Sequence, residues 1–249
     1  MIAGTIDINA DLGEGGAVDD QLFRLISSAN IACGSHAGDA ASMRRSVKLA
    51  ISHHVTIGAH PSLDDMAGFG RTWIPVSPEN LHATLVHQIT TLLHICNDEG
   101  TDMSYVKAHG ALYNRAAIDS SVAETVCRAV SSINPALRIV TQPGSVLERE
   151  AMLLGLPVIR EVFADRASRA DGTLIPRDQP GAVFHDPEAI AARMVKLITT
   201  GELIAINGEI IHLSADTICI HSDTPGAVQI ATVLGDHLHE AGIAIQAPS

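Results

Sequence analysis

Aromatic residues are scarce in this chain: one Trp, two Tyr and four Phe among 249 residues, 3% in all. With hydrophobic residues at 46%, the core must be filled by Ala, Val, Ile and Leu, the branched residues that layered β/α interiors favour. Cations are outnumbered, 16 Lys and Arg against 28 Asp and Glu, for a net charge of −12. No basic cluster offsets that balance, which argues against a nucleic-acid surface, where affinity rests on neutralising phosphates. Solubility is the plainer reading of the charge. The four cysteines, Cys33, Cys96, Cys127 and Cys219, have no C-x-x-C spacing, so neither a zinc knuckle nor a redox pair is suggested. Reduced thiols of this kind fit a cytoplasmic location. No uncharged apolar run reaches the roughly 18 residues of a membrane span. Met1-Ile2-Ala3-Gly4 lacks a basic region and an apolar run, so no signal peptide is expected. A G-x-x-x-x-G-K-[ST] sequence is missing, which excludes a P-loop but not other modes of ATP binding. No linker or low-complexity stretch interrupts the chain, so 1–249 reads as one large α/β domain.

What is present is a rhythm, clearest in Ala29-Asn30-Ile31-Ala32-Cys33-Gly34-Ser35-His36-Ala37-Gly38-Asp39. Small and β-branched residues lead to Gly34, which permits backbone angles that bulkier residues resist. His36 and Asp39 then precede a helix-patterned run over 40–54. The layout predicts a buried strand that presents polar groups at its carboxyl end, just before a helix.

The same layout recurs along the chain. A strand over 5–9 leads to Asp11, Glu14 and a helix over 20–28. Asp7 and Asn9 alternate with Ile6 and Ile8, which puts the polar pair on one face. Polar groups inside a barrel are costly unless they bind something. Further strands are expected over 55–59, ending in His60-Pro61, and over 105–108, ending in His109-Gly110 with Tyr113 and Asn114 beyond. Others fall over 138–141, before Gln142, over 157–162, carrying Glu161 toward Asp165 and Arg166, and over 217–220, leading to His221 and Asp223. Helices are expected from Ser77-Pro78-Glu79 to near Gly100, from Asp119 to about Ile133, up to Leu154, from Asp186 to Gly201 and over 227–241. A hairpin around Asn207-Gly208, a closing strand over 243–245 and a loose tail complete the expectation. Two long loops stand out, one holding Gly68-Phe69-Gly70-Arg71 and one holding Arg169, Asp171 and Arg177; loops of that length are more often functional than idle.

Parallel strands bring all their carboxyl ends to one face. Asp11, His36, His60, His109, Gln142, Glu161 with Asp165, and His221 with Asp223 are therefore expected to line one mouth. A lone strand-end histidine is usually structural; the convergence of several is what points to an active site. Asp11, His36 and His60 suit a divalent metal such as Zn²⁺, Mn²⁺ or Fe²⁺, and equally suit a hydrogen-bonded network without one. Asp7, Asp11 and Glu14 are candidates for a general base on water, against a capping role. Lys107, Arg71 and Arg166 could hold a substrate carboxylate or a phosphoryl group, or pair with these acids. His82, His87, His94, His237 and His239 read as surface residues, and Cys33 and Cys219 as packed thiols.

Several stretches together resemble the LamB/YcsF family. They are Asp7-Ile8-Asn9-Ala10-Asp11-Leu12-Gly13-Glu14, the run from Ser28 to Asp39, Ile57-Gly58-Ala59-His60-Pro61, and Gly68-Phe69-Gly70-Arg71. The others are the runs 106–114, Phe163-Ala164-Asp165-Arg166 and 215–227. Family members usually carry cysteine at Ala10, phenylalanine at Ser35 and proline at Ala108; none of these departures removes a charged or imidazole group. The resemblance implies an irregular seven-stranded β/α barrel like that of polysaccharide deacetylases. It implies the role of the A component of prokaryotic ATP-dependent 5-oxoprolinase, which hydrolyses 5-oxo-L-proline to L-glutamate together with its B and C subunits. ATP is then a cofactor, with Mg²⁺ or a bound transition metal. Asp11 or Glu14 would act as base, His36, His60 or His109 would steady the oxyanion, and Lys107 would serve the reacting phosphoryl group. Asn9, Arg71, Asn114, Asp165, Arg166, His221 and Asp223 would bind substrate or phosphate. Two other readings fit the same barrel: a stand-alone metal-dependent deacetylase, or a non-catalytic lactam-binding subunit.

Overall fold

Strands and helices alternate in a computed structural model that describes residues 4–248. β1 (Gly4–Leu12), α1 (Asp19–Leu22), β2 (Ser28–Ala32), α2 (Ala40–His53) and β3 (Thr56–His60) come first. α3 (Pro78–Asp98), β4 (Met103–Lys107), α4 (Gly110–Ala116), α5 (Ser120–Ile133) and β5 (Arg138–Thr141) follow. α6 (Val146–Leu153), β6 (Val158–Phe163), α7 (Pro187–Thr200) and the pair β7 (Glu202–Ile204) and β8 (Ile210–His212) come next. β9 (Thr217–His221), α8 (Ala227–Glu240) and β10 (Ile243–Ile245) end the chain.

The strands β1-β2-β3-β4-β5-β6-β9 lie parallel, and β9 pairs back onto β1, so the described residues close into a seven-stranded ring. The seven-stranded β/α barrel expected from the sequence is thereby borne out. β10 pairs with Gly4–Ile6, below the stretch of β1 that holds β9. Register already aligns the rim: Asp11 lies opposite both Asn30 and His221, and Ala32 lies opposite His60. The interior is packed almost entirely by Ile, Val, Leu and Ala, as the shortage of rings requires. Tyr105 is one of the few buried rings, and Gly58 faces it across β3 and β4; a Cβ on Gly58 would run into the tyrosine ring.

Most helices begin where the sequence signals. Asp39, Ser77, Asp119, Ser145 and Asp186 each cap a helix amino terminus with a side-chain oxygen. Each such cap contributes about 1 kcal/mol. The expected hairpin also forms, turning at Gly208 with a φ of 87°.

Three expectations are corrected. The helix expected over 20–28 is one turn, because Ser28 already belongs to β2 and the Ser27 N–H bonds the Ile8 carbonyl of the barrel wall. α4 was not expected, its residues being read only as the stretch beyond the strand end; Gly110, at a φ of 54°, turns the chain into the helix. The tail is not loose through Pro248: the Gln246 N–H bonds the Ile6 carbonyl, and Arg138 donates to the Pro248 carbonyl at 2.6 Å. Of the stretch read for a signal peptide, Met1, Ile2 and Ala3 lie outside the described residues. No helix among the described residues is long and apolar enough to cross a membrane.

Candidate active site

The inward face of β1 descends through the barrel, and its polar residues occupy different depths. Asp7 lies deepest. One carboxylate oxygen accepts the Ser27 and Ser28 hydroxyls at 2.6 and 2.8 Å, and the other accepts Thr217 at 2.5 Å. Burial pushes its pKa up against these hydrogen bonds. Asp7 is thus a satisfied interior acid beneath the mouth, not a base facing water.

Above it, Lys107 enters from β4 with only 2% exposure. Its Nζ lies 2.9 Å from Asp11 Oδ1, 2.8 Å from Glu161 Oε1 and 3.3 Å from Asn9 Oδ1. Asn9 in turn donates to Glu161 and Thr217, and Asn30 donates to Asn9 and Asp11. Burial alone would neutralise the ammonium, but the Asp11 and Glu161 carboxylates hold its pKa well above the usual range. Asp11 is likewise held well below the carboxylate range, because His60 and Lys107 outweigh its burial. Cys219 Sγ sits 3.1 Å from Nζ, yet burial keeps it a thiol. Lys107 and Asp11 therefore form a charged floor, and Asn9 lies within it, its amide engaged by its neighbours.

Glu14, His36, His60 and His109 stand on one side of the rim. Glu14 Oε1 lies 2.9 Å from His36 Nε2, 3.5 Å from His109 Nδ1 and 3.9 Å from His60 Nε2. His60 Nδ1 is 2.8 Å from the Lys107 carbonyl, and His109 Nε2 is 2.8 Å from the Phe69 carbonyl. A carbonyl only accepts, so each ring carries its proton on that outward nitrogen. The inward nitrogens, His60 Nε2 and His109 Nδ1, face each other at 3.0 Å. Burial and the two neighbouring imidazoles push the His109 pKa down, while Asp11 overcomes the burial of His60 and pushes it up. The pair therefore has room for a single cation between its nitrogens.

The loop after β3 builds this wall. Phe69 holds a φ of 55°, uncommon for a residue with a side chain, and thereby turns its carbonyl toward His109. Gly70 at φ 64° passes so close that a Cβ would lie 2.7 Å from His109 Cδ2 and 2.9 Å from His36 Cβ. Only glycine fits there.

The opposite side of the rim is a carboxylate–imidazole pair. His221 Nδ1 lies 2.8 Å from Asp165 Oδ1, the Thr224 hydroxyl donates to Asp165 Oδ2 at 2.5 Å, and Phe163 stacks on the imidazole. Burial opposes the charge on Asp165, but His221 and Thr224 hold its pKa at about 2. The ring is thus fixed in place, with Nδ1 turned to a permanent anion. Arg71 and Arg177 share Asp223, whose carboxyl is held low by these two guanidiniums against burial. Arg166 donates to the Ile175 carbonyl and leaves a buried Nε without a partner. Burial and the charges of Arg177 and Arg71 lower its pKa to about 10.

These groups surround one cavity of about 780 Å³, lined also by Asn114 and Gln142. The structure thus gathers Asp11, Glu14, His60, Lys107, His109, Arg71, Asn114, Arg166, His221 and Asp223 around it, with His36 and Asp165 directly behind. From residue type alone Arg177 is only a loop cation, and Thr224 and Phe69 carry no functional signal. The first reaches the mouth through the long loop before α7, and the last acts through its backbone, which leaves no signature in residue type. His82, His87, His94, His237 and His239 stay on helix exteriors, and all four cysteines are buried and free.

Fold and rim define a class: a closed parallel β/α barrel whose carboxyl-end mouth gathers imidazoles, carboxylates and guanidiniums over one cavity. A family 4 carbohydrate esterase from Streptomyces lividans shares this fold, with a TM-score of 0.53 at 10% identity, over 99% of this chain and 93% of that one. Within the class, the chain belongs to the LamB/YcsF family, whose profile matches residues 6–249. It is 44% identical over 248 residues to a protein of Symbiobacterium thermophilum named as the A component of 5-oxoprolinase, covering 98% of this chain and 95% of the relative. The crystal structure of a lactam utilization protein from Thermus thermophilus superposes with a TM-score of 0.92 at 38% identity, over 98% of this chain and all of that one.

Proposed function

We propose that the cavity opens a cyclic amide, 5-oxo-L-proline, as the A component of an ATP-driven 5-oxoprolinase acting with B and C subunits. The observation that carries this reading is the placement of the Asp165–His221 pair across one cavity from Glu14 and its imidazoles, with arginines between. The relatives named above supply the substrate class.

An unstrained five-membered lactam is a poor electrophile, so ATP serves to phosphorylate its carbonyl oxygen and create a leaving group. Water then attacks the activated carbon, the C–N bond breaks to leave an acyl phosphate on the opened chain, and a second water splits that to glutamate and phosphate. Glu14 suits the base through Oε2, the oxygen that His36 leaves unengaged, while Asp11 is tied to Lys107 and Asn30. His221, with Nδ1 held by Asp165, suits the acid that delivers a proton to the departing ring nitrogen. His60 and His109 direct their N–H groups to backbone carbonyls, so they do not offer those protons to an oxyanion. That role falls to Arg71 and Arg166, which also suit the lactam carboxylate or a transferred phosphoryl group. A divalent ion would fit among Glu14, His60 and His109 and would supply a Lewis acid there.

Reconstitution tests the reading. The chain, combined with the B and C subunits, ATP and 5-oxoproline, is expected to release glutamate and phosphate in equal amounts. Equal release when this chain is omitted would reject it. Arg166→Gln is expected to raise KM for 5-oxoproline about 10- to 100-fold, the equivalent of one charge-assisted hydrogen bond of about 1.5–3 kcal/mol. Turnover of 2-pyrrolidinone, which lacks the carboxylate, is expected to change less than threefold in the same variant. A metal-dependent deacetylase is the second reading, favoured by the same Glu14 and imidazole cluster; ATP-independent release of acetate from N-acetylated sugars would select it.

A further inference from the structure

Two imidazole nitrogens that face each other at 3.0 Å, each with its proton turned away to a carbonyl, present lone pair to lone pair. Such a contact stands only with a cation between. A proton would satisfy these two atoms but would leave Glu14 Oε1 unbonded to both, at 3.5 and 3.9 Å. All three donors nevertheless lie close together; the two imidazoles are braced from behind by the Lys107 and Phe69 carbonyls, and His36 Nε2 fixes Glu14 by donating to Oε1 itself at 2.9 Å. Outer contacts of this kind are what orient metal-bound imidazoles and carboxylates.

We propose that Glu14, His60 and His109 hold a divalent transition-metal ion, Zn²⁺, Mn²⁺ or Fe²⁺ by the chemistry of two imidazoles and one carboxylate, with coordination left open toward the cavity. The three donor atoms lie 3.0, 3.5 and 3.9 Å from one another, close enough for a single ion to reach all of them. The rings of His60 and His109 are nearly perpendicular, with centroids 4.8 Å apart, so both can aim a lone pair in-plane at the same point.

His36 is near enough to be mistaken for a ligand. Its ring, however, stacks on His109 with centroids at 3.8 Å and planes 4° apart, and two parallel stacked rings cannot both point in-plane at one ion. It instead orients Glu14. Asp11, part of the triad that the sequence suggested, also lies 3.4 Å from His60 Nε2, but that same Oδ1 is already engaged by Lys107 at 2.9 Å and Asn30 at 2.8 Å, and it does not reach His109 and Glu14 as one group with His60. The ion's use in catalysis rests on the lactam reading above; its presence does not.

Metal content of the purified full-length chain, read by mass spectrometry, tests the site without any turnover assay. About one equivalent is expected, falling at least tenfold in His60→Ala, His109→Ala and Glu14→Gln, with circular dichroism confirming that each variant is folded. His36→Asn is expected to keep the site with affinity weakened about 10- to 100-fold, and Asp11→Asn to keep the full equivalent. Where a variant does not fold, Co²⁺ titration of the chelated wild type reads the same site through its visible absorption, whose position reports imidazole and carboxylate ligands. A wild-type chain that carries under a tenth of an equivalent and binds neither Zn²⁺, Mn²⁺, Fe²⁺ nor Co²⁺ would overturn the proposal. So would full metal retention in both His60→Ala and His109→Ala. Either result leaves lactam turnover in the reconstituted complex to be judged separately.

Discussion

Lys107→Met is expected to destabilise the fold by about 3–5 kcal/mol, the effect of removing one partner from a buried ion network. The ammonium stands between Asp11 and Glu161 inside the barrel, and all three groups are nearly inaccessible to water. Without it Glu161 keeps only amide and hydroxyl neighbours, and Asp11 keeps Asn30 and the His60 imidazole. Equilibrium urea unfolding measures the loss, and the double variant with Glu161→Gln is expected to recover a large part of it. The pH dependence has a definite sign. In the wild type the Asp11 carboxyl is held low, so its contribution is present above the ordinary carboxylate range and fades as pH falls. The Lys107 ammonium is held high, so its contribution is present at neutral pH and fades only as pH rises past the ordinary lysine range. In Lys107→Met the orphaned acids take up protons more readily, so the gap from wild type should narrow on acidification. A variant as stable as wild type would mean that the network is not the charged floor described here.

The second large effect falls on rate. His221→Asn is expected to lower kcat for 5-oxoproline about 10²- to 10⁴-fold in the reconstituted complex, the usual worth of a positioned acid or base. KM should change only a few-fold, since the imidazole acts on the departing nitrogen and the arginines hold the anion. Asp165→Asn should reproduce most of that loss: the amide can donate to Nδ1, which releases the ring into the other tautomer. Asp165 stays ionised down to about pH 2, so the pair does not lose its anion in any working range. Rates within threefold of wild type for both variants would remove His221 from the chemistry.

The strand-end residues were the legible part of the site. Each of His36, His60, His109 and His221 follows an apolar run, and parallel pairing converts that position in sequence into a place on one rim. Depth was not legible. Asp7 and Asp11 have the same face and chemistry, but four residues of strand, about 13 Å, separate a floor acid from one beneath the mouth. Nor could residue types reveal that Lys107 points into the barrel and meets Glu161 from a strand two places away. The tautomers of His60 and His109 depend on carbonyls of Lys107 and Phe69, which any residue could supply. The path of the long loop, which brings Arg177 to Asp223, depends on tertiary contacts rather than on periodicity. Helix ends fared better because their caps are local: Asp39 and Ser42 announce α2 within four residues of sequence.

Nitrogen-15 histidine spectra of the chain, recorded while 5-oxo-L-proline is added, probe the central claim most directly. A lactam seated over the shared rim must shift the ring resonances of His60, His109 and His221 together, and leave His82, His87 and His94 in place. Saturable binding that moves the outer helix histidines, or leaves the three rim imidazoles unchanged, would contradict it.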